Sequence, residues 1–229
     1  MKNKYKPLKF NNYHNNYFKF RTENDYKRLL QFKLDKKFIE KYINKGKICD
    51  VGCSTGEFIK QLDWETKDQV YGMETNNFAK KIAKKNKIKF NNNIFNKKNY
   101  FDLIIFRGTI HHIDEPFKFL KQSFYSLKKG KFICILSTPN INSLYFFINK
   151  KLPNLDEKLS FYYPSDLSLE RSLKNIGFKV IETQYPYITT PYCNLILDHI
   201  KFIINLTKIH YLPHAFWHNS INIIAKKIW

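Results

Sequence analysis

Three observations predict an open α/β fold, a doubly wound and mostly parallel sheet with helices on both faces. Residues Lys47 to Phe58, KICDVGCSTGEF, read as a strand that breaks into a glycine-bearing turn and then a helix. A second short strand, Gln69 to Met73, ends in an acid, Glu74, and is again followed by helix-spaced apolar residues. Strand and helix then keep alternating toward the C-terminus, the pattern of consecutive βα units.

In the first unit Ile48, Cys49 and Val51 form the apolar strand, Gly52 and Gly56 the turn, and Phe58, Ile59 and Leu62 the start of a helical stripe. Glycine permits a sharp turn and close approach of backbone to a ligand. The spacing Gly52-Cys53-Ser54-Thr55-Gly56 departs from the G-x-G-x-x-G fingerprint of dinucleotide sites, and Asp50 at the strand end would repel a pyrophosphate. That carboxylate suits a ligand carrying positive charge. Glu74 lies about twenty residues beyond the first turn, where an acid can accept both hydroxyls of a ribose. Its competing role is a solvated cap on the helix that Asn76 and Asn77 open and that runs through Phe78, Ala79, Ile82 and Ala83.

The clearest strand is Tyr100 to Phe106, YFDLIIF, followed by Arg107-Gly108-Thr109-Ile110-His111-His112-Ile113-Asp114-Glu115-Pro116. Asp114 is expected to cap the next helix, with Pro116 in its first turn and Phe117, Leu120, Phe124 and Leu127 along its buried face. A further strand, Lys131 to Leu136, ends in Ser137-Thr138-Pro139-Asn140. Tyr163 to Glu182 reads as a capped helix, a stop at Gly177 and a strand, and Ser220 to Ile228 as the last strand.

With these residues in view, the chain resembles the class I S-adenosylmethionine-dependent methyltransferases, whose first motif is usually [DE]-x-G-x-G-x-G. Here it reads Asp50-Val51-Gly52-Cys53-Ser54-Thr55-Gly56, with Ser54 in place of the middle glycine. The resemblance runs from about Gly46 to Glu182 and implies a Rossmann-like seven-stranded sheet and S-adenosylmethionine as cofactor. It implies cofactor contacts from Asp50, Gly52, Cys53, Ser54, Gly56 and Phe58, from Glu74 and Thr75, from the Asn93-Ile94 pair after the third strand, and from Arg107. The family commonly has Asp where Asn93 stands, and an Asn carbonyl can also accept from an adenine amino group.

In the family, the stretch after the fourth strand faces the methyl acceptor. His112 is the candidate general base and His111 the second candidate, since a neutral imidazole is available near neutral pH; either could instead cap a helix or pack in the core. The Ser-Thr-Pro-Asn run matches the subgroup that methylates quinone precursors, sugars and other small metabolites. The acid that quinone-precursor enzymes often carry at the place of His111 is missing, which argues against a metal site. The expected reaction is transfer to an oxygen, less readily a nitrogen, of a small molecule. A nucleic-acid methyltransferase and a non-catalytic subunit of the same fold are the alternatives.

Composition bounds these readings. A chain of 229 residues, 43% hydrophobic and 17% aromatic, fits one α/β domain with a full core. We read residues 1–45 as a helical arm and 46–229 as the α/β domain, with 186–218 inserted before the last strand as a substrate cap. The arm's helix carries Leu29, Leu30, Phe32, Leu34, Phe38, Ile39 and Tyr42, and reads equally as a lid over the cofactor mouth or an ordinary packing helix. In the insertion, Leu195, Ile196, His199, Ile200, Ile203 and Ile204 have helical spacing, in a helix too short to span a bilayer but able to lie on one.

A net charge of +21 ordinarily points to a polyanion. Yet only Arg21, Arg28, Arg107 and Arg171 are arginine, and the lysines accompany many Asn, Ile, Phe and Tyr residues, all written with AT-rich codons. The lysines are scattered, and no [ND]-P-P-[YF] clamp for a flipped base follows the fourth strand. Cys49, Cys53, Cys134 and Cys193 form no C-x-x-C pair and read as free buried thiols. With no apolar core of a signal peptide near the N-terminus, the expected location is the cytoplasm.

Overall fold

The computed structural model describes residues 26–62, 70–90, 96–156, 158–204 and 212–229. The alternation of strand and helix runs α1 (Tyr26–Glu40), β1 (Ile48–Val51), α2 (Glu57–Leu62), β2 (Val70–Met73), α3 (Asn77–Lys85), β3 (Lys89–Phe90) and β4 (Phe101–Arg107). A short 3-10 turn (Ile110–His112) leads to α4 (Pro116–Ser126), β5 (Leu127–Pro139), α5 (Leu144–Asn149), α6 (Asp166–Ile176), β6 (Phe178–Gln184), α7 (Leu195–Ile204) and β7 (Ser220–Lys227). The sheet has seven strands in the order β3-β2-β1-β4-β5-β7-β6. β1 pairs in parallel with β2 and β4, and β4 with β5, while β7 inserts antiparallel between β5 and β6. The Rossmann-like class is thereby confirmed. The order reverses between β1 and β4, the crevice where sheets of this kind hold ligands at the strands' carboxyl ends.

The near-continuous apolar run of β4 follows from burial on both faces. Ile104 and Phe106 face Leu120 and Phe124 of α4 and Leu169 and Leu173 of α6. Leu103 and Ile105 face Phe32, Phe38 and Ile39 of α1 and Phe58 and Leu62 of α2. Helix α1 is thus part of one sheet face: its Phe32 ring meets Phe58 at 5.5 Å, whereas Leu29 of the expected stripe is exposed. At the start of β4, Asp102 accepts from Lys128 Nζ at 2.8 Å and from the Lys47 N–H at 2.9 Å, tying β4 to β5 and to the start of β1.

Most predicted elements keep their bounds to within a few residues, and β5 is longer than the apolar run suggested because it begins at Leu127, immediately after α4. Asn76 caps α3 through the Ala79 N–H, and Ser165 opens α6 with a reciprocal cap to Ser168. Gly177 ends α6 at φ 115°, a conformation open to glycine.

Two expectations need correction. Glu115, not Asp114, holds the cap position of α4; the Asp114 carboxylate accepts from the Glu115 N–H instead. Phe117 is 44% exposed and makes an edge contact with Tyr162, so the buried face of α4 runs through Pro116, Leu120, Ser123 and Phe124 instead. In α7 the aliphatic residues point outward, while Asp198 is buried. All four cysteines are free, three of them buried and Cys193 only partly so.

Candidate active site

Strand β1 delivers its acid into the interior. Asp50 is 3% exposed, and its Oδ1 has no hydrogen-bond partner among the described residues. Burial raises its pKa from 3.8 to about 7, with Arg107 opposing the rise and Glu74 adding to it. Beyond Val51 the chain turns back on β2: the Gly52 and Cys53 N–H groups donate to the Met73 carbonyl at 2.8 and 3.0 Å. Gly52 has φ 77°, and a Cβ there would run into Thr109 from the loop after β4. Gly56, at φ 81°, presses against Ile88, so both motif glycines are required by packing as well as by the turn.

Ser54 stands where the resembling motif has glycine, and its φ of 53° keeps the left-handed conformation. A serine there carries a modest backbone cost. The Ser54 N–H donates to Glu74 Oε2 at 2.9 Å, and the Thr75 and Asn76 N–H groups donate to Oε1 at 2.8 and 2.9 Å. Three backbone donors therefore hold the Glu74 carboxylate against the glycine turn. Cap and ligand roles are not exclusive, because a carboxylate has about four lone-pair sites. Thr75 itself is exposed. Ser54 Oγ and Thr55 Oγ1 are buried with no hydrogen-bond partner among the described residues. Cys53 and Phe58 turn inward: Cys53 packs with Ile59, Ala83 and Ile88, and Phe58 lies in the core beside Phe32. Burial, with Asp50 nearby, raises the Cys53 thiol pKa, so the thiol is neutral.

Arg107 ends β4 on the same side. Its Nε donates to Asp35 Oδ2 at 2.7 Å, and its guanidinium lies 4.5 Å from the Phe32 ring centre and 5.2 Å from that of Phe58. Asp35, 1% exposed on α1, was invisible to sequence reasoning; its only sequence signal is an acid within an otherwise apolar helical stripe. Asn93 and Ile94 lie outside the described residues.

The two histidines occupy different environments. His111 is 4% exposed, its Nδ1 is buried with no hydrogen-bond partner among the described residues, and burial with His112 alongside lowers its pKa to about 3. His112 is exposed, with Nδ1 2.9 Å from the Leu159 carbonyl oxygen, so that Nδ1–H donates and Nε2 keeps its lone pair. The rings lie 3.9 Å apart. The His111 carbonyl accepts from the Phe161 N–H at 2.9 Å, fixing the 3-10 turn against the segment before α6. Asn140, Tyr145 and Asn219, which sequence reading gave no role in the site, add further unpartnered buried polar atoms. Among the described residues, no group of three or more His, Cys, Asp or Glu could hold a metal ion.

A cationic, hydroxyl-bearing ligand fits this donor set: two carboxylates beside a glycine turn, and unpartnered hydroxyl and carboxyl oxygens around it. S-adenosylmethionine carries such groups, an ammonium and a sulfonium with a ribose diol between them and an adenine.

A family model described as a methyltransferase domain matches residues 17–183. Among solved structures, a Thermotoga maritima methyltransferase described as a possible histamine N-methyltransferase aligns with TM-score 0.60 at 18% identity, over 92% of this chain and 97% of its own. A methyltransferase from Archaeoglobus fulgidus aligns with TM-score 0.56 at 20% identity, over 86% and 94%. The [4+2]-cyclase SpnF aligns with TM-score 0.61 at 16% identity, over 86% and 80%. At these identities the likeness shows the fold, and a fold hosts more than one chemistry. No curated protein matches the sequence. The family match spans most of the chain, from α1 through the glycine turn, Glu74 and both histidines, and the chain belongs to the S-adenosylmethionine-dependent methyltransferases.

Proposed function

We propose that this methyltransferase transfers its methyl group to an oxygen of a small, neutral, polar molecule. The observation that carries the reading is a set of buried polar atoms without partners among the described residues, around the carboxyl ends of β4 and β5. His111 Nδ1 follows β4, Asn140 Nδ2 follows β5, Tyr145 OH sits in the first turn of α5, and both side-chain polar atoms of Asn219 precede antiparallel β7. The Asn140 N–H donates to the Asn219 carbonyl at 3.0 Å, which joins two of these segments. Each unmet buried group costs about 1–3 kcal/mol, so a polar acceptor that meets several of them gains affinity and orientation together. None of the four side chains carries a charge at neutral pH, which favours hydroxyls or amides on the acceptor over carboxylates or phosphates. A sugar or a quinone precursor has that character.

Bound S-adenosylmethionine supplies an electrophilic methyl on a sulfonium. Asp50 and Glu74 hold the cation and its ribose, Arg107 balances the charge of Asp50, and neutral His111 hydrogen-bonds the acceptor. His112, held by Leu159 with Nε2 open, takes the proton from the acceptor hydroxyl. Alignment of donor and acceptor supplies much of the rate, and the base adds roughly 10²–10⁴-fold. Incubating the full chain with labelled S-adenosylmethionine and fractionated metabolite extract tests this reading. An O-methylated small product supports it. Label transferred only to nitrogen, or only to added nucleic acid, overturns it.

A further inference from the structure

Helix α7 is built inside out. An amphipathic helix on a protein surface normally buries its aliphatic stripe and exposes its polar one. Here Asp198 and His199 face the protein. Asp198 is 3% exposed and accepts from the Tyr187 hydroxyl and the Asn194 N–H, both at 2.9 Å. His199 Nε2 accepts from Trp217 Nε1 at 2.7 Å, and its Nδ1 donates to the Leu195 carbonyl. Meanwhile Ile196, Ile203 and Ile204 are 76%, 70% and 72% exposed.

Helix α5 repeats the arrangement beside it. Tyr145 is buried and meets the Phe202 ring of α7 at 5.7 Å, whereas Leu144, Phe147 and Ile148 are 68%, 72% and 48% exposed. The two helices share one small apolar cluster beneath them, with Tyr187, Leu212 and Phe216. Their outer sides therefore carry aliphatic and aromatic residues on adjacent elements, and isolated exposed hydrophobics do not account for such a concentration.

Charge selects the occupant. Lys150 and Lys151 follow α5 and are exposed, with Lys150 Nζ 4.8 Å from the Phe147 ring centre, and Lys201 lies on α7. A second copy of this chain would bring another +21 against these lysines. An anionic lipid surface attracts basic residues that lie near its headgroups. No helix among the described residues is long and apolar enough to cross a membrane, and the 10 residues of α7 match an interfacial helix.

We propose that the outer faces of α5 and α7 dock the protein on an anionic phospholipid bilayer, with Phe147, Ile196, Ile203 and Ile204 entering the headgroup boundary and the lysines meeting the lipid phosphates. This surface is independent of the methyl-transfer reading, and its detection needs neither acceptor nor turnover.

Flotation of the full chain with phosphatidylcholine vesicles containing about 30% phosphatidylglycerol should recover the protein with the lipid, and pure phosphatidylcholine should recover far less. The double variant Phe147→Asp/Ile203→Asp should bind about tenfold less. Both positions are more than two-thirds exposed, so their replacement leaves the core untouched. Tyr125→Asp/Leu167→Asp, on α4 and α6, changes the charge equally at exposed sites and should bind like the parent. The proposal is overturned if the parent fails to float with anionic vesicles, or if both double variants lose binding equally, which would indicate adsorption by charge alone. It is also overturned if ultracentrifugation finds a stable parent dimer that Phe147→Asp/Ile203→Asp dissociates.

Discussion

Replacing Asp50 by Asn should make the unliganded protein's stability respond differently to pH while weakening cofactor binding. Burial raises this carboxyl from 3.8 to about 7 in the folded chain, so folding favours its protonated form. A raised carboxyl contributes no penalty below the unfolded value. It destabilises the fold progressively as pH rises from about 4 to about 7, and costs a constant amount above that. At about 1.4 kcal/mol per tenfold change in proton affinity, the full penalty is roughly 4 kcal/mol at pH 8, and roughly 1 kcal/mol remains at pH 4.5.

Asparagine has no such titration, although its amide carries its own cost of burial. That cost does not vary with pH. The stability difference between Asp50→Asn and the parent should therefore move in favour of the variant by roughly 3 kcal/mol between pH 4.5 and pH 8, which for a chain of this size is about 6–12 °C in Tm. Urea unfolding of both proteins at the two pH values measures it. Cofactor binding should move the other way, because the ionised carboxylate favours a cation. Calorimetry at pH 8 should show weaker S-adenosylmethionine binding to the variant, and the parent's affinity should fall as pH drops below about 7. A stability difference that does not change with pH would refute the account of Asp50 as a buried acid strained by desolvation.

Further outcomes follow from the rest of the site. Glu74→Ala removes the acceptor that three backbone N–H groups share and the proposed ribose contact, so calorimetry should show most S-adenosylmethionine binding lost; undiminished binding would remove that assignment. His112→Ala should leave cofactor affinity nearly unchanged and lower turnover by roughly two to four orders of magnitude, whereas turnover within about threefold of the parent would make the histidine structural. His111→Ala should chiefly raise KM, because a neutral imidazole with a pKa of about 3 is a hydrogen-bonding group and a poor base. Asp35→Ala leaves Arg107 without its ion-pair partner and should destabilise the fold by roughly 3 kcal/mol in urea unfolding, with α1 the first helix to lose hydrogen-exchange protection. Binding to DNA or RNA should be weak, indifferent to sequence and steeply salt-dependent in a filter or anisotropy assay; tight, sequence-selective binding at physiological salt would contradict the small-molecule reading.

By itself the sequence determined the parallel half of the sheet and the corner where Asp50, the glycine turn and Glu74 meet. The reason is local: a strand, a turn and a helix that follow one another within about fifteen residues leave their periodicity and their glycines in the sequence. Asp50, Gly52, Gly56 and Glu74 could be placed in this way because the crossover from β1 to β2 brings them together in every fold of this order. The caps at Asn76, Ser165 and Gly177 were legible for the same reason.

Only the tertiary structure decided which side chains far apart in the chain share an environment. Asp35 is drawn to Arg107 across 72 positions, and an acid within an apolar stripe does not by itself name the partner it meets. The sequence ranked His112 ahead of His111 as the base but could not tell their environments apart, and the 3-10 turn places His111 in the interior and His112 against Leu159. Periodicity located α7 but left open which of its faces turns inward, because spacing reports only that a helix has two faces. Which face turns inward depends on partners elsewhere, and here Tyr187 and Trp217 satisfy Asp198 and His199, leaving the isoleucines at the surface.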